Sequence, residues 1–375
     1  METGKMISKI TGIVNRGNAG KIFDALASNN IVDGHLAAGR ATVLQEKKGL
    51  LGGNEKTIIS EDPIEIFSFL VSSEFEESAL NLIIKTGGLD VPGRGMAFSE
   101  KVTLIKSHPI CGENKPSSFK ADAGFPLLSE LSGICCIAQR GQGNAVARVA
   151  LDTGTCVPAI TFGTGTGVRD KLGILRIAIP AEKEVINIAV SKHDADAVMD
   201  LMVDVGKLDE PGKGFIYNYP LSMGIVNTKI TRGMPKHAAS IEQIISVIDA
   251  MKGGTEWRRR SGTAEGSDKN KRACLLNLLD LTLICDEGRA DGLVKAAMSV
   301  GAAGATISKL KHICPQDSPL SKISLARESC SMIVSEAQIP VLCETLEKAG
   351  AFDDKTHSQL YYRPAPKACT YLGKK

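Results

Sequence analysis

Aromatic residues are scarce in this chain, 4% of 375 residues, so core volume has to come mainly from Ile, Leu, Val and Ala. There is no excess of either charge, with 45 Lys and Arg against 42 Asp and Glu. Such balance points to neither a nucleic-acid nor a membrane surface. No run approaches the roughly 18 apolar residues that cross a bilayer. Residues 1–9 are polar, and the apolar run after them, 10–14, is too short for a secretory signal. The ten cysteines include no CxxC pair and have no regular spacing. Cys135 and Cys136 are neighbours in an apolar run, and Cys156, Cys285 and Cys330 stand in similar surroundings. Free, buried thiols in a reduced, cytoplasmic protein are therefore expected.

Signatures of catalysis are missing too. The six histidines, His35, His108, His193, His237, His312 and His357, have no metal-type spacing, and HExxH and the P-loop motif are absent. No Ser/His/Asp set or carboxylate pair stands out. The GTGTG run at 163–167 looks like a dinucleotide fingerprint, but that fingerprint needs a glycine loop opening a helix. Here strand-like residues, 172–179, follow. The sequence thus predicts no catalytic residues, no metal site and no enzyme.

What is present is a recurring loop. Residues 206–214 read GKLDEPGKG, and about 120 residues earlier 87–95 read GGLDVPGRG. Each copy follows an amphipathic segment and precedes an apolar run, so the chain reads as a repeat. In the first copy, 10–14 is a strand, and Ile22, Phe23, Leu26 and Ala27 share a helical face ended by Asn29 and Asn30. A second strand fits 35–44, broken near Gly39 and Arg40, and a polar excursion follows to about Glu61. Residues 64–71 alternate as a third strand, a helix runs from Ser73 to the Gly87-Gly88 stop, and a fourth strand follows the loop. The order is β-α-β-β-α-β, the ferredoxin-like arrangement. The second copy repeats it from 133, with Arg140 to Ala145 matching Arg16 to Ala19 through two inserted residues. A third, more diverged copy begins at 281; at its loop position, 350–355, the Pro-Gly pair is missing. The expected domains are 6–106, 131–230 and 275–372, with linkers at 107–130 and 231–274. The second linker has helical periodicity at 241–251 and a polar, basic stretch at 253–272, where a disordered connector outweighs a nucleic-acid contact.

Glycine-rich features fall at one end of each unit. Glycines let backbone N–H groups approach an anion, and nearby Lys or Arg adds positive charge. In the second copy the candidates are Gly163, Gly165, Arg169, Gly206, Lys207, Gly212 and Lys213. In the first they are Gly39, Arg40, Gly87, Gly88, Gly93 and Arg94. Tight turns carrying solvated basic residues would give the same pattern.

With this order and with GKLDEPGKGFIY, GGLDVPGRGMAF and Ile13-Val14-Asn15-Arg16-Gly17, the chain resembles the PII family of nitrogen-regulatory signal proteins and their PII-like relatives. The resemblance covers about three-quarters of the chain. It implies an α+β fold in which three ferredoxin-like repeats pack as an intramolecular pseudo-trimer, since family members are trimers of single units. It also implies an effector such as ATP, ADP or AMP bound in clefts between repeats, with no prosthetic group, and a regulated partner protein, a transporter or an enzyme. By resemblance, Gly206, Gly212 and Lys213 form the phosphate side of one cleft, and Gly163 and Gly165 the base of a partner-binding loop. Gly87, Gly93, Arg94 and Gly39 do the same in the first copy, and Gly154 and Thr155 stand where adenine contacts belong. Paired arginines after strand four are not evident at 225–228, and the short loop at 166–173 has no tyrosine. A scaffold without ligand and an enzyme acting in an inter-repeat cleft are the alternatives.

Overall fold

Strand β1 (Lys5–Asn15) has buried side chains on both faces. Ile10 and Val14 pack with the neighbouring helices, whereas Ile7 and Ile13 enter cores on the opposite side. Strand β5 (Leu131–Gln139) divides the same way, with Ile134, Cys136 and Ala138 on one side and Leu131 and Cys135 on the other. So does β10 (Leu275–Asp286), which sends Leu281, Leu283 and Cys285 to its helices and Ile284 away from them. The period of two assigns these sets to opposite faces. Strands with both faces apolar need a layer on each side, and helices supply only one of them.

The computed structural model describes residues 4–47, 56–111, 114, 116, 124–166, 181–232, 248, 251, 273–315 and 317–372. After β1 come α1 (Ala19–Ala27), β2 (Gly34–Lys47), β3 (Lys56–Val71), a 3-10 turn (Ser73–Phe75), α2 (Glu76–Gly87) and β4 (Gly95–Ser107). After β5 come α3 (Gly143–Thr153), β6 (Ala159–Thr166), β7 (Glu182–Ser191), α4 (Ala195–Gly206), β8 (Gly214–Leu221) and the short β9 (Met223–Ile225). After β10 come α5 (Ala290–Ser299), β11 (Ala305–Ile313), β12 (Ala326–Ser335), α6 (Ile339–Lys348) and β13 (Gln359–Thr370).

These strands do not form three separate ferredoxin-like units packed as a pseudo-trimer, and that expectation is corrected. Hydrogen bonding runs through one 13-stranded sheet, β11-β12-β10-β13-β8-β5-β7-β6-β2-β3-β1-β4-β9, with extra pairings β11–β6, β11–β2 and β13–β4. Ten strands, β13-β8-β5-β7-β6-β11-β2-β3-β1-β4, return on themselves as a closed antiparallel barrel. A similar neighbour order recurs in each third of the chain, but the pairing continues past each third's edge. β13 pairs β8 through Cys369 and Ile216 and pairs β4 through Leu360 and Lys106. β11 pairs β2 through His312 and His35 and pairs β6 through Thr306 and Gly165. The physical reason is twofold: closure satisfies edge N–H and C=O groups that separate units would leave open, and it buries the second apolar face of every first strand. With separate units goes the fold-level ground for a nitrogen-regulatory role.

Local expectations are corrected as well. β2 is not broken at Gly39 but continues to Lys47. Gly39 is glycine because β6 comes close, a Cβ there lying 2.8 Å from the Ile160 carbonyl oxygen. Arg16-Gly17-Asn18-Ala19 aligns with Arg140-Gly141-Gln142-Gly143 without insertion. In each third, a carboxylate from the third strand accepts two N–H groups of the turn that opens the first helix. Glu65 takes Gly17 and Ala19 at 3.0 and 3.3 Å, Glu184 takes Gly141 and Gly143 at 2.9 and 2.6 Å, and Glu328 takes Gly288 and Ala290 at 2.9 and 3.1 Å. An anionic acceptor suits the helix N-terminus.

The cysteines also depart from expectation. Cys274, just before β10, is disulfide-bonded to Cys369 near the end of β13, while eight others are free thiols. Among the described residues, no helix is long and apolar enough to cross a membrane. The basic stretch 253–272 and Arg169 lie outside the described residues. Of the expected helix at 241–251, Ile248 and Met251 are described, both as helical.

Candidate functional site

The two recurring loops are built alike. α2 ends at Gly88 and α4 at Lys207, both in the left-handed conformation with φ of 63° and 51°. The next residue is a buried leucine, Leu89 or Leu208, whose N–H donates back into the helix, to Ile84 O at 2.9 Å or Val203 O at 3.0 Å. This is a helix stop fixed by a hydrophobic contact. A tight turn then links Gly88 O to Val91 N at 3.3 Å, and Lys207 O to Glu210 N at 3.0 Å. A second links Val91 O to Arg94 N at 3.2 Å, and Glu210 O to Lys213 N at 3.3 Å. Gly93 and Gly212 take φ of 92° and 73°, the left-handed region that favours glycine.

Their surroundings differ. At the second loop, among the described residues, two side chains arrive as donors: Gln139 Nε2 to Gly212 O at 3.0 Å and Thr370 Oγ1 to Gly214 O at 2.9 Å. Lys207 extends into solvent, with its Nζ 4.0 Å from Glu210, and Lys213 is half-buried. At the first loop an acceptor arrives instead. Asn227 Oδ1 accepts the Gly93 N–H at 3.0 Å, and the guanidinium of Arg94 lies over Gly88, 2.6 Å from where a Cβ would sit. The third loop keeps the turn through Gly350 O to Asp353 N, at 3.3 Å, but presents a carboxylate: Asp353 Oδ2 lies 2.7 Å from a Cβ position on Gly350.

The remaining sequence candidates serve the scaffold. Arg40 pairs with Glu184 at 2.7 Å and Glu61 at 3.3 Å, donates to Asn144 at 3.2 Å, and lies 5.3 Å above the Phe162 ring. Gly154 is the left-handed cap of α3, and Thr155 is buried with its hydroxyl on Ala150 O at 3.3 Å. Gly163 and Gly165 lie in β6, where neighbouring strands approach: Cβ atoms there would stand 2.9 Å from Thr306 Cγ2 and 3.0 Å from Lys183 Cε. Asn227 draws loop 87–95 together with the turn after Thr155, since its own carbonyl accepts the Val157 N–H at 2.8 Å.

Two polar clusters escape the sequence reading. Inside the barrel, Lys9 Nζ meets Glu100 Oε1 at 2.9 Å, and Arg363 bridges Glu100 Oε2 at 2.5 Å and Asp280 Oδ2 at 2.9 Å. Tyr217 and Ser331 donate to Asp280 at 2.8 and 2.7 Å. The Arg363 guanidinium stacks 3.6 Å from the Tyr219 ring centre. That ring rests flat on Gly133, where a Cβ would be 2.2 Å from Tyr219 Cζ. Two cations face two carboxylates, so the buried set is neutral. Burial opposes the Arg363 charge, but Glu100 together with Tyr217, Asp280 and Tyr219 outweighs it and raises its pKa.

The second cluster lies where β2 meets β11 and β13. His312 Nε2 is 3.0 Å from Asp33 Oδ1, which also receives Gln359 Nε2 on its other oxygen at 3.1 Å. Arg327, 1% exposed, pairs with Asp286, donates to His357 O at 2.7 Å, and leaves its Nε without a partner. His357 Nδ1 lies 2.8 Å from Asp286. Burial pushes the Cys111 thiol up to about 12, so it stays protonated, donating to His357 O at 3.2 Å rather than acting as a nucleophile. Among the described residues, no group of three or more His, Cys, Asp or Glu side chains could hold a metal. A cavity of about 180 Å³ opens nearby between α1 and the end of β11, lined by Phe23, Ile31, Asp33 and Cys314. The sequence signal for both clusters was a charged residue within a strand: Lys9, Glu100, Asp280, Arg327 and Arg363. No family model and no curated protein matches the chain.

Proposed function

We propose that this chain is a non-enzymatic, PII-like regulatory protein of the cytoplasm. It binds an anionic effector, an adenine nucleotide such as ATP, ADP or AMP by resemblance, at the 206–214 loop. It passes that state to a partner protein through a change in its surface. The observation that carries the reading is the second loop itself: left-handed Gly212, half-buried Lys213 and solvent-exposed Lys207 on a turn whose carbonyls accept from Gln139 and Thr370. Backbone amides beside two lysines are the chemistry that recognises a phosphate.

Isothermal titration of the full chain with ATP, ADP and AMP tests it. One of these nucleotides should bind, and Lys213→Ala should weaken that binding by about 1–3 kcal/mol, the worth of a charge-assisted hydrogen bond. Absence of binding by a folded chain rejects the reading, and an unchanged affinity in the variant moves the site elsewhere. A second reading, a scaffold that binds its partner without any ligand, is favoured by the first and third loops, where Asn227 and Asp353 sit on the turns. A partner that binds equally with and without nucleotide would select it.

A further inference from the structure

The segment 225–232 behaves as part of the first loop although it follows β8 by sequence. Asn227 is 9% exposed, and its Oδ1 accepts two backbone N–H groups, Gly93 at 3.0 Å and Lys229 at 3.2 Å. Lys229 then crosses Gly93, its Cδ 2.8 Å from where a Cβ would be. Ile230 O accepts from Leu44 N, and Arg232 N donates to Leu44 O, both at 2.7 Å, while Arg232 pairs with Asp62. The segment is therefore tied to the β2–β3 hairpin, at Leu44 and Asp62, at one end and to the 87–95 loop at the other.

An amide oxygen that accepts the loop's Gly93 N–H, and within its own segment the Lys229 N–H, with the Lys229 side chain across Gly93, holds a place that an anionic oxygen could take. Among the described residues, no such side-chain acceptor from outside reaches Gly212 in the second loop, which has the same turn. We infer that Asn227 is a built-in surrogate ligand: it fills an anion site of the first loop, so that this loop is held closed by the chain and the second loop alone answers to effector. The ligand class that would replace it is a phosphate-bearing anion. This deepens the function proposed above and shares its ligand chemistry, but stands on different residues.

The test is the stoichiometry of ATP binding to the full chain, wild type against Asn227→Ala, by titration calorimetry. One site in the wild type and two in N227A is the expected result. One site in both overturns the surrogate and leaves the second-loop reading standing. No site in the wild type and one in N227A supports the surrogate and rejects the second loop as an effector site. No site in either, with folded proteins, rejects both. Should N227A fail to fold, Asn227→Asp decides: a carboxylate accepting from Gly93 and Lys229, with the Lys229 side chain alongside, should raise the melting temperature above wild type at low salt. An increase that 1 M salt abolishes supports an anion position there, whereas a lowered melting temperature at low salt overturns it.

Discussion

Replacing Glu100 by alanine should lower folding stability by about 3–5 kcal/mol, the cost of breaking a buried ion pair from one side. The carboxylate is 1% exposed and is contacted by Lys9 and Arg363, which come from β1 and β13. Burial works against its charge, yet Arg363 and then Lys9 outweigh it and hold the carboxyl below its ordinary value. Removing it leaves two cations facing Asp280 alone, with Lys9 and Arg363 only 18% and 12% exposed. Glu100→Gln keeps an acceptor but not the charge, so its loss should fall between alanine and wild type. Urea unfolding followed by circular dichroism measures both. A loss below about 1 kcal/mol, the range of exposed pairs, would show that the cluster is solvated and does not help hold the barrel closed.

His35 gives the second large effect, through pH. Burial pushes its pKa from 6.5 down to about 3, with Arg327, His312 and Lys9 acting in the same direction and Asp33 against it. Above pH 6.5 the imidazole is neutral in both states and contributes no slope. As pH falls from 6.5 towards 3, the unfolded chain takes up a proton that the folded chain refuses, so stability declines by about 1.4 kcal/mol per unit. Below about 3 both states are protonated and the decline stops. Carboxylates such as Glu100 add their own acid loss below their ordinary value of 4.5. The window from pH 6.5 to 4.5 therefore isolates the histidine. His35→Phe, which keeps a ring beside His312, should lose about 2–3 kcal/mol less than wild type across that window. Parallel stability curves would mean that His35 protonates in place.

Much of the local structure was readable because it is set by neighbours in sequence. Period-two and period-3.6 patterns marked the strands and helices, and the shared Leu-Asp-x-Pro-Gly core marked two loops of one construction. The closure of the sheet was not readable. It rests on pairings such as Leu360 with Lys106 and His312 with His35, which join residues more than 250 positions apart. No local propensity encodes that choice, although the apolar residues on both faces of β1, β5 and β10 required a second covering layer. Reading 35–44 as a broken strand took Gly39 for a turn, when its glycine answers to β6 alongside. Lys9, Glu100, Asp280 and Arg363 are charged residues within strands, so partners could be expected for them, but which partners depended on closure. The Cys274–Cys369 bond, 95 residues apart, was hidden for the same reason. At the loops, sequence found the basic residues but not Asn227, which lies at 225–228, read as the end of the second repeat where paired arginines are missing.

Chemical shifts of backbone amides in protein labelled with ¹⁵N-glycine and ¹⁵N-lysine, followed during addition of ATP, test the central claim most directly. Gly206, Lys207, Gly212 and Lys213 should move together and saturate with one binding curve, while Gly93, held by Asn227, stays in place. Shifts confined to other residues, or none at all in a folded chain, would contradict the assignment of the effector site to the 206–214 loop.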